Sequence, residues 1–395
     1  PPRAIKTGLL GSAANVQVLA RTLDRLRAQA PVPLVIDPVL RATTGAPLAD
    51  ADLLAALRAE LLPRATALTP NRREAAALLG LPDEQAMPVP DMARALQALG
   101  PACVAITGGD AADTLAADWL QTPHAQGWLT LPRVATPHHH GTGCTFASGL
   151  AAALALGWVA ADAAVLAKML TTHALRRAHA VGRGAGPVRA AGGFGNDPSL
   201  MPRLSPDARL PGDWPQRARA ADPGVYAIVD SADRVAACLA AGADTVQLRI
   251  KAAPDPAALA LEIRAAIAHG AAHPQATVVI NDHWRTALAL GARALHLGQE
   301  DLMALTREDH GTLAQARAQG VQLGISSHSL WELCRARSLL PDLIACGPVW
   351  PTTTKAMPWR PQGLDNLAWW ARMAGVPVVA IGGMLAPAQL AQAAA

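Results

Sequence analysis

Thr245-Val246-Gln247-Leu248-Arg249-Ile250-Lys251 decides the reading of the second half of the chain. Side chains alternate across a strand, so Gln247, Arg249 and Lys251 share one face while Val246, Leu248 and Ile250 share the other. An apolar back and a front of two cations and an amide suit a strand that opens on an anionic, multidentate ligand. The pattern then repeats. Apolar runs at 225–229, 277–280, 294–297, 322–325, 343–346 and 377–381 read as further strands, with helical spacing between most of them. Polar residues gather after each run: Asp230, Asp282, Gln299 to Asp301, Ser326, Thr352 to Lys355, and Gly382-Gly383. That is the layout of a (β/α)8 TIM barrel, whose site lies at the carboxyl ends of its strands. Seven strands are readable, so the last strand is expected to be missing from this sequence.

The first half is also α/β. Short apolar runs at 33–36, 65–68 and 103–106 end in Asp37-Pro38, Thr69-Pro70-Asn71 and Thr107-Gly108-Gly109, with helical patterns between them. This predicts a parallel sheet covered by helices. Residues 181–223 are dense in Gly, Pro, Asp and Ser and hold no period of 2 or 3.6, which reads as a connection. The expected organisation is a first domain over 1–181, a linker over 182–223 and the barrel over 224–395.

Composition narrows the function classes. The 395 residues, 51% hydrophobic, are enough for two domains with buried cores. A net charge of +4, with no basic cluster among its few aromatics, argues against nucleic-acid binding. Five scattered Cys without a C-x-x-C pair fit a reducing, cytoplasmic compartment. The weakly polar run Ala147–Ala161 stops at Asp162, too short to span a bilayer, so no membrane partner is expected. Only four of the 34 basic residues are Lys. In so Arg-rich a chain a Lys needs a reason. Lys6, Lys251 and Lys355 fall inside motifs, and Lys168 does not.

Two further constellations stand in the second half. Asn281-Asp282 and Gln299-Glu300-Asp301 follow consecutive strands, so Asp282 and Asp301 should converge. A divalent cation removes their repulsion, and magnesium takes one or two carboxylates beside phosphate oxygens. His296, inward on the fourth strand, reads as a core histidine. Gly347-Pro348-Val349-Trp350-Pro351-Thr352-Thr353-Thr354-Lys355 offers hydroxyls, loop N–H groups and a Lys after a strand, a phosphate cradle that Gly382-Gly383 lets the backbone approach. In the first half, His140-Gly141-Thr142-Gly143-Cys144-Thr145 opens a long helix. Its backbone N–H groups line a seat for a phosphoryl group. A Cys at a helix start is expected to have a depressed pKa. Adjacent His138, His139 and His140 are not expected to share a metal.

The motifs QLRIK, INDHW, ALHLGQEDL, LGISSHS, GPVWPTTTKAMPWRPQG and PVVAIGG, in that order from about 226 to 383, resemble thiamine-phosphate synthase. The resemblance implies coupling of hydroxymethylpyrimidine diphosphate to thiazole phosphate with loss of diphosphate. It implies that Gln247, Arg249, Lys251 and Asn281 hold the pyrimidine diphosphate, and that Asp282 and Asp301 hold Mg2+. It places Ser326 and Lys355 on the diphosphate side, with Thr352, Thr353, Thr354 and Gly383 at the thiazole phosphate. Lys251 and Lys355 are the expected catalytic cations. Family members usually carry Glu where Ile250 stands; that position points away from the site.

Ile5-Lys6-Thr7-Gly8, Val35-Ile36-Asp37-Pro38-Val39, Thr69-Pro70-Asn71-Arg72-Arg73-Glu74 and the GTGC turn, over about 4–177, resemble hydroxymethylpyrimidine (phosphate) kinase of the ribokinase-like fold. That implies ATP as co-substrate, with Gly141, Thr142, Gly143 and Cys144 as anion hole and Cys144 catalytic. Asn71, Glu74 and Lys6 would lie on the ATP and magnesium side. Thr107 replaces a Lys common in relatives, and strands that precede the Lys6 block in the family are absent. The kinase half of this chain is therefore expected to be impaired. The combined expectation is a bifunctional transferase of thiamine biosynthesis, with small-molecule partners; the sequence leaves a homo-oligomer open. The alternatives are a synthase with a non-catalytic docking half, or a ligand-sensing module.

Overall fold

The computed structural model describes residues 2–42, 46–108, 113–207, 223–251, 255–352 and 361–395. Thr353, Thr354 and Lys355 therefore lie outside the described residues. The chain divides into two compact units, Pro1–Leu210 and Pro211–Ala395.

In the first unit the elements run β1 (Ile5–Thr7), α1 (Ala13–Arg27), β2 (Leu34–Ile36), α2 (Ala51–Ala56), β3 (Ala67–Leu68), α3 (Arg72–Leu79), α4 (Val89–Gln97) and β4 (Cys103–Ile106). They continue with β5 (Leu115–Gln121), β6 (Gln126–Pro132), α5 (Thr142–Ala155), α6 (Ala160–Arg176) and β7 (Arg203–Ser205). The strands form one sheet in the order β1 to β7. Strands β1 to β4 are parallel, as the alternation of strand and helix requires, with Lys6 opposite Val35 and Ala67 opposite Cys103. Leu34, Ile36, Leu68, Val104 and Ile106 pack with Val16 and Leu23 of α1 and Met92 and Leu96 of α4 into one core.

Two expectations need correction here. The sheet is mixed, because β4, β5, β6 and β7 pair antiparallel. Thr122 makes the hairpin turn: its Oγ1 donates to Ala125 O at 2.9 Å and accepts from Ala125 N at 2.9 Å. The turn sets Trp119 opposite Trp128, and the rings meet edge to face at 5.3 Å. Nor is 182–205 a linker. His140 N donates to Gly186 O at 3.1 Å, Val188 N returns a bond to His140 O at 3.0 Å, and β7 closes on β6. The Gly/Pro-rich stretch is aperiodic because isolated backbone bonds, rather than a helix or a long strand, hold it to the first unit.

The second unit runs β8 (Tyr226–Val229), α7 (Ala232–Ala240), β9 (Thr245–Leu248), α8 (Pro256–Ala271), β10 (Thr277–Asn281), α9 (Trp284–Ala289) and β11 (Ala294–Leu297). It continues with α10 (Gln299–Ala304), α11 (Arg307–Ala318), β12 (Gln322–Ser327), α12 (Leu330–Ser338), β13 (Leu343–Cys346), α13 (Gly363–Met373), β14 (Val378–Ala380) and α14 (Pro387–Ala394). All seven strands pair parallel with their sequence neighbours, β8 through β14. This is the β/α barrel order that the sequence predicts, and it collects the polar strand ends at one rim. At the opposite rim, Arg317 Nη1 and Leu323 N both donate to Asp342 Oδ2, at 2.9 and 2.7 Å. That buried ion pair fixes the entry of β12 and β13.

Candidate active sites

The carboxyl ends of β9 to β14 carry the second-unit site. Gln247 lies in β9, buried, and its Nε2 donates to the hydroxyl of Tyr226 at 3.0 Å. The β9 ladder extends one bond past Leu248, where Arg249 N donates to Val229 O at 2.7 Å. His283 Nε2 then donates to Ile250 O at 3.0 Å, tying the loop after β9 to the loop after β10. Beyond that tie, exposed Lys251 reaches Asp282, Nζ to Oδ2 at 2.6 Å. Asp282 itself has φ +62°, a left-handed conformation uncommon for a residue with a side chain but most accessible to Asn and Asp.

Asp301 converges on the same place, as the spacing predicts. Its Oδ2 accepts from Gly298 N at 2.8 Å, capping α10. Burial holds its carboxyl above the usual range, and the adjacent Asp282 charge, itself within hydrogen-bonding contact, raises it further. Two carboxylates in mutual repulsion fit a magnesium ion that completes its shell with phosphate oxygens. Among the described residues no cluster of three or more His, Cys, Asp or Glu is placed to hold a metal.

Deeper in the rim the polar atoms are incompletely paired. Asn281 Nδ2 and Gln299 Oε1 are buried without a hydrogen-bond partner among the described residues. One is a donor and the other an acceptor, on neighbouring strand ends. Unpaired buried polar atoms of both kinds suit a ligand ring bearing both ring-nitrogen acceptors and an amino donor. Gln299 Nε2 meanwhile donates to Ser326 O at 2.7 Å, and His296 Nε2 lies 2.8 Å from Ser326 Oγ. His296 is the core histidine the sequence suggests, 2% exposed, yet it touches a site residue.

The loops after β13 and β14 are interlocked. Val349 N donates to Ile381 O at 2.9 Å and Trp350 N to Gly382 O at 3.2 Å. Gly383 has φ +74°, and a Cβ there would stand 2.6 Å from Trp350 O. Only glycine allows this approach, which brings Gly383 to the chain leading into Thr352.

In the first unit, Lys6, Asp37, Asn71 and Thr107 sit at the carboxyl ends of β1 to β4, where open α/β sheets bind ligands. Lys6 Nζ lies 2.9 Å from Asp37 Oδ2. The Gly141-Thr142-Gly143-Cys144 turn opens α5 beside them, so that the Cys144 thiol has Asp37 and Lys6 as hydrogen-bonding neighbours. The expectation of a depressed Cys144 pKa is corrected. The residue reaches the surface, but partial burial raises its pKa, the Asp37 charge raises it further, and Lys6 opposes both. Asp37 is the member to which the sequence reading gave no role; it stood there only inside the Val35–Val39 motif, just past the strand.

Asn71 and Glu74 form a reciprocal cap on α3. Asn71 Oδ1 accepts from Glu74 N at 2.9 Å, and Glu74 Oε2 accepts from Asn71 N at 2.9 Å. Behind Thr107, Gly108 N donates to Asp118 Oδ1 at 3.0 Å, and Asp118 Oδ2 meets Lys168 Nζ at 2.8 Å. Lys168 also donates to Ala116 O at 3.0 Å. This buried pair is the reason for the one Lys outside the motifs.

Comparison with known proteins agrees unit by unit. The phosphomethylpyrimidine kinase family model matches residues 1–189 and the thiamine monophosphate synthase model matches residues 225–395. The thiamine-phosphate synthase of Rhizobium etli is 49% identical over 41% of this chain and 76% of its own length. The hydroxymethylpyrimidine/phosphomethylpyrimidine kinase of Synechococcus elongatus is 43% identical over 48% of this chain and 70% of its own. The chloroplastic thiamine biosynthetic bifunctional enzyme TH1 of Arabidopsis thaliana is 34% identical over 96% of this chain and 71% of its own. With both units matched in order along nearly the whole chain, this protein belongs to the bifunctional thiamine-biosynthetic family that joins a phosphomethylpyrimidine kinase to a thiamine-phosphate synthase.

Proposed function

We propose that the second unit couples hydroxymethylpyrimidine diphosphate to thiazole phosphate, and that the first phosphorylates hydroxymethylpyrimidine or its phosphate from ATP. The observation that carries the synthase reading is the meeting of Lys251, Asp282 and Asp301 at the rim that also holds the unpaired Asn281 Nδ2 and Gln299 Oε1. Asn281 and Gln247 orient the pyrimidine, while Arg249 and Lys251 bind its diphosphate. Asp282 and Asp301 hold Mg2+, which when bound neutralises charge on the diphosphate. The C–O bond to diphosphate breaks, the electron-rich pyrimidine stabilises the methylene cation, and the thiazole nitrogen forms the new C–N bond. Arg249, Lys251 and the Ser326 hydroxyl counter the charge that grows on the leaving group, an interaction strongest in the transition state. Thr352 and Gly383, with Thr353, Thr354 and Lys355 beyond the described residues, hold the thiazole phosphate and the departing diphosphate. No covalent enzyme intermediate is required.

In the first unit the backbone N–H groups of Gly141 to Cys144 seat the transferring phosphoryl group, and Cys144 in its thiolate form, which Lys6 favours, receives the acceptor proton. Asp37 and Lys6 set the ionisation of that thiol. Asn71 and Glu74 shape the ATP side by capping α3. Five free cysteines support a reducing compartment such as the cytoplasm. Among the described residues no helix is long and apolar enough to cross a membrane.

The test is diphosphate release without ATP. Release that requires both organic substrates and magnesium supports the synthase. A folded protein that binds them without turnover overturns it in favour of a sensor. ATP-dependent phosphorylation of hydroxymethylpyrimidine phosphate, measured separately, distinguishes a kinase from a docking half.

A further inference from the structure

We propose that His296 is a positioning residue of the synthase site: its Nε2–H donates to Ser326 Oγ and so turns the serine proton out toward a phosphate oxygen of the ligand. The inference rests on the synthase reading for the identity of that ligand, and on the geometry of the two side chains for everything else.

The imidazole is 2% exposed, and its Nδ1 is buried without a hydrogen-bond partner among the described residues. Nε2 lies 2.8 Å from Ser326 Oγ. A neutral ring carries one proton, so two arrangements compete. With the proton on Nδ1, the serine must donate into the ring, and a buried N–H is left without an acceptor. With the proton on Nε2, the ring donates to Oγ and the serine O–H is free.

Packing selects the second arrangement. His296 lies opposite Gly324 in the β11–β12 register, and a Cβ on Gly324 would stand 2.6 Å from Nδ1. The glycine hydrogen on that side therefore aims at Nδ1. A lone pair tolerates a C–H pointed at it, whereas an N–H would face it hydrogen to hydrogen. The next strand adds a methyl of Leu343, 3.0 Å from the same Cβ position, so Nδ1 meets an apolar wall. Burial also holds the ring's pKa down to about 4, with the Asp282 charge opposing and Arg249 and His328 reinforcing, so the ring is neutral at working pH. Ser326 is half-buried and stands one residue from the carboxyl end of β12, so a freed hydroxyl can turn its proton toward the rim where a ligand enters.

Two measurements on the full chain test this. A long-range 1H–15N spectrum of 15N-His protein, with the His296 signals identified by their loss in His296→Gln, reads the tautomer directly. A protonated Nε2 in the ligand-free chain is expected; a protonated Nδ1 overturns the proposal whatever the chain's activity. Diphosphate-release kinetics then compare His296→Phe, His296→Gln, Ser326→Ala and the double variant His296→Phe/Ser326→Ala. The loss of one hydrogen bond to a charged group predicts that His296→Phe lowers kcat about tenfold to hundredfold with KM for the thiazole phosphate little changed. Gln at 296, whose amide donates from the same place, should recover part of it. The double variant should be no slower than Ser326→Ala. Additive losses, or Gln no better than Phe, overturn the proposal. Wild-type protein that shows the Nε2–H tautomer but no diphosphate release would locate the failure in the synthase reading instead.

Discussion

Replacing Lys168 by Met tests how the first unit is held together. The Lys168 and Asp118 side chains are 5% and 8% exposed and 2.8 Å apart. Removing the ammonium leaves a buried carboxylate that keeps the hydrogen bond from Gly108 N. Breaking one partner of such a pair costs about 3–5 kcal/mol, because the surviving charge stays desolvated. Against a typical domain stability of about 5–15 kcal/mol this is a large fraction. A unit of this size loses about 2–4 °C per kcal/mol, which gives a fall of about 6–20 °C in its midpoint. Calorimetry of the full chain should show one transition falling by that amount while the other holds. Adding Asp118→Asn removes the stranded charge and keeps an acceptor for Gly108 N, so the double variant should recover at least half the loss. A single-variant shift below about 3 °C, or a double variant no more stable than Lys168→Met, would refute the reasoning.

Four other outcomes follow from the sites. Lys251→Ala and Asp282→Ala should each lower diphosphate release at least about a hundredfold with near-ultraviolet circular dichroism unchanged; near-wild-type turnover in either would remove that residue from the site. Cys144→Ala should reduce kinase turnover and spare coupling. Asp37→Asn, by deleting a charge that raises the thiol's pKa, should speed alkylation of Cys144 at fixed pH, and slower alkylation would contradict the arrangement. His296 is held near pH 4 in the fold against 6.5 when free, so the unfolded chain binds the extra proton first. Its contribution is complete above about pH 6.5 and is lost as pH falls toward 4, about 3 kcal/mol in all. Denaturant titrations across that window should show the slope in wild type and lose it in His296→Gln.

What the sequence made legible was local. The barrel strands follow from alternation and from the polar residues that end each run, and both features lie within five or six residues. The convergence of Asp282 and Asp301 follows because their strands are consecutive. The hairpin of β5 and β6 was missed because Asp118 interrupts an otherwise apolar stretch, and the Lys168 that neutralises it comes 50 residues later. Cys144 was misjudged for the same reason. The helix start is visible in the sequence, whereas Asp37, whose charge raises the thiol, arrives from a distant strand. Asn71 and Glu74 were seen as a pair at the right spacing; that spacing is also the local signature of the cap they form.

The order of strands has a kinetic side. In the second unit each strand meets the one just before it, and the crossovers run only from 12 to 31 residues. Closing the longest is therefore only about 0.8 kcal/mol harder in entropy than closing the shortest. The first sheet is different. Its last pairing, β6 with β7, spans an excursion of about 70 residues, about twice the next longest and many times the hairpin turn between β5 and β6, and that excursion contains α5, α6 and the Gly141–Cys144 turn. The phosphoryl seat is thus delivered inside the slowest closure of the unit. Pulse-labelled hydrogen exchange should find Arg203 to Ser205 protected after the β1–β4 ladder, with the kinase site the last region of its unit to become rigid.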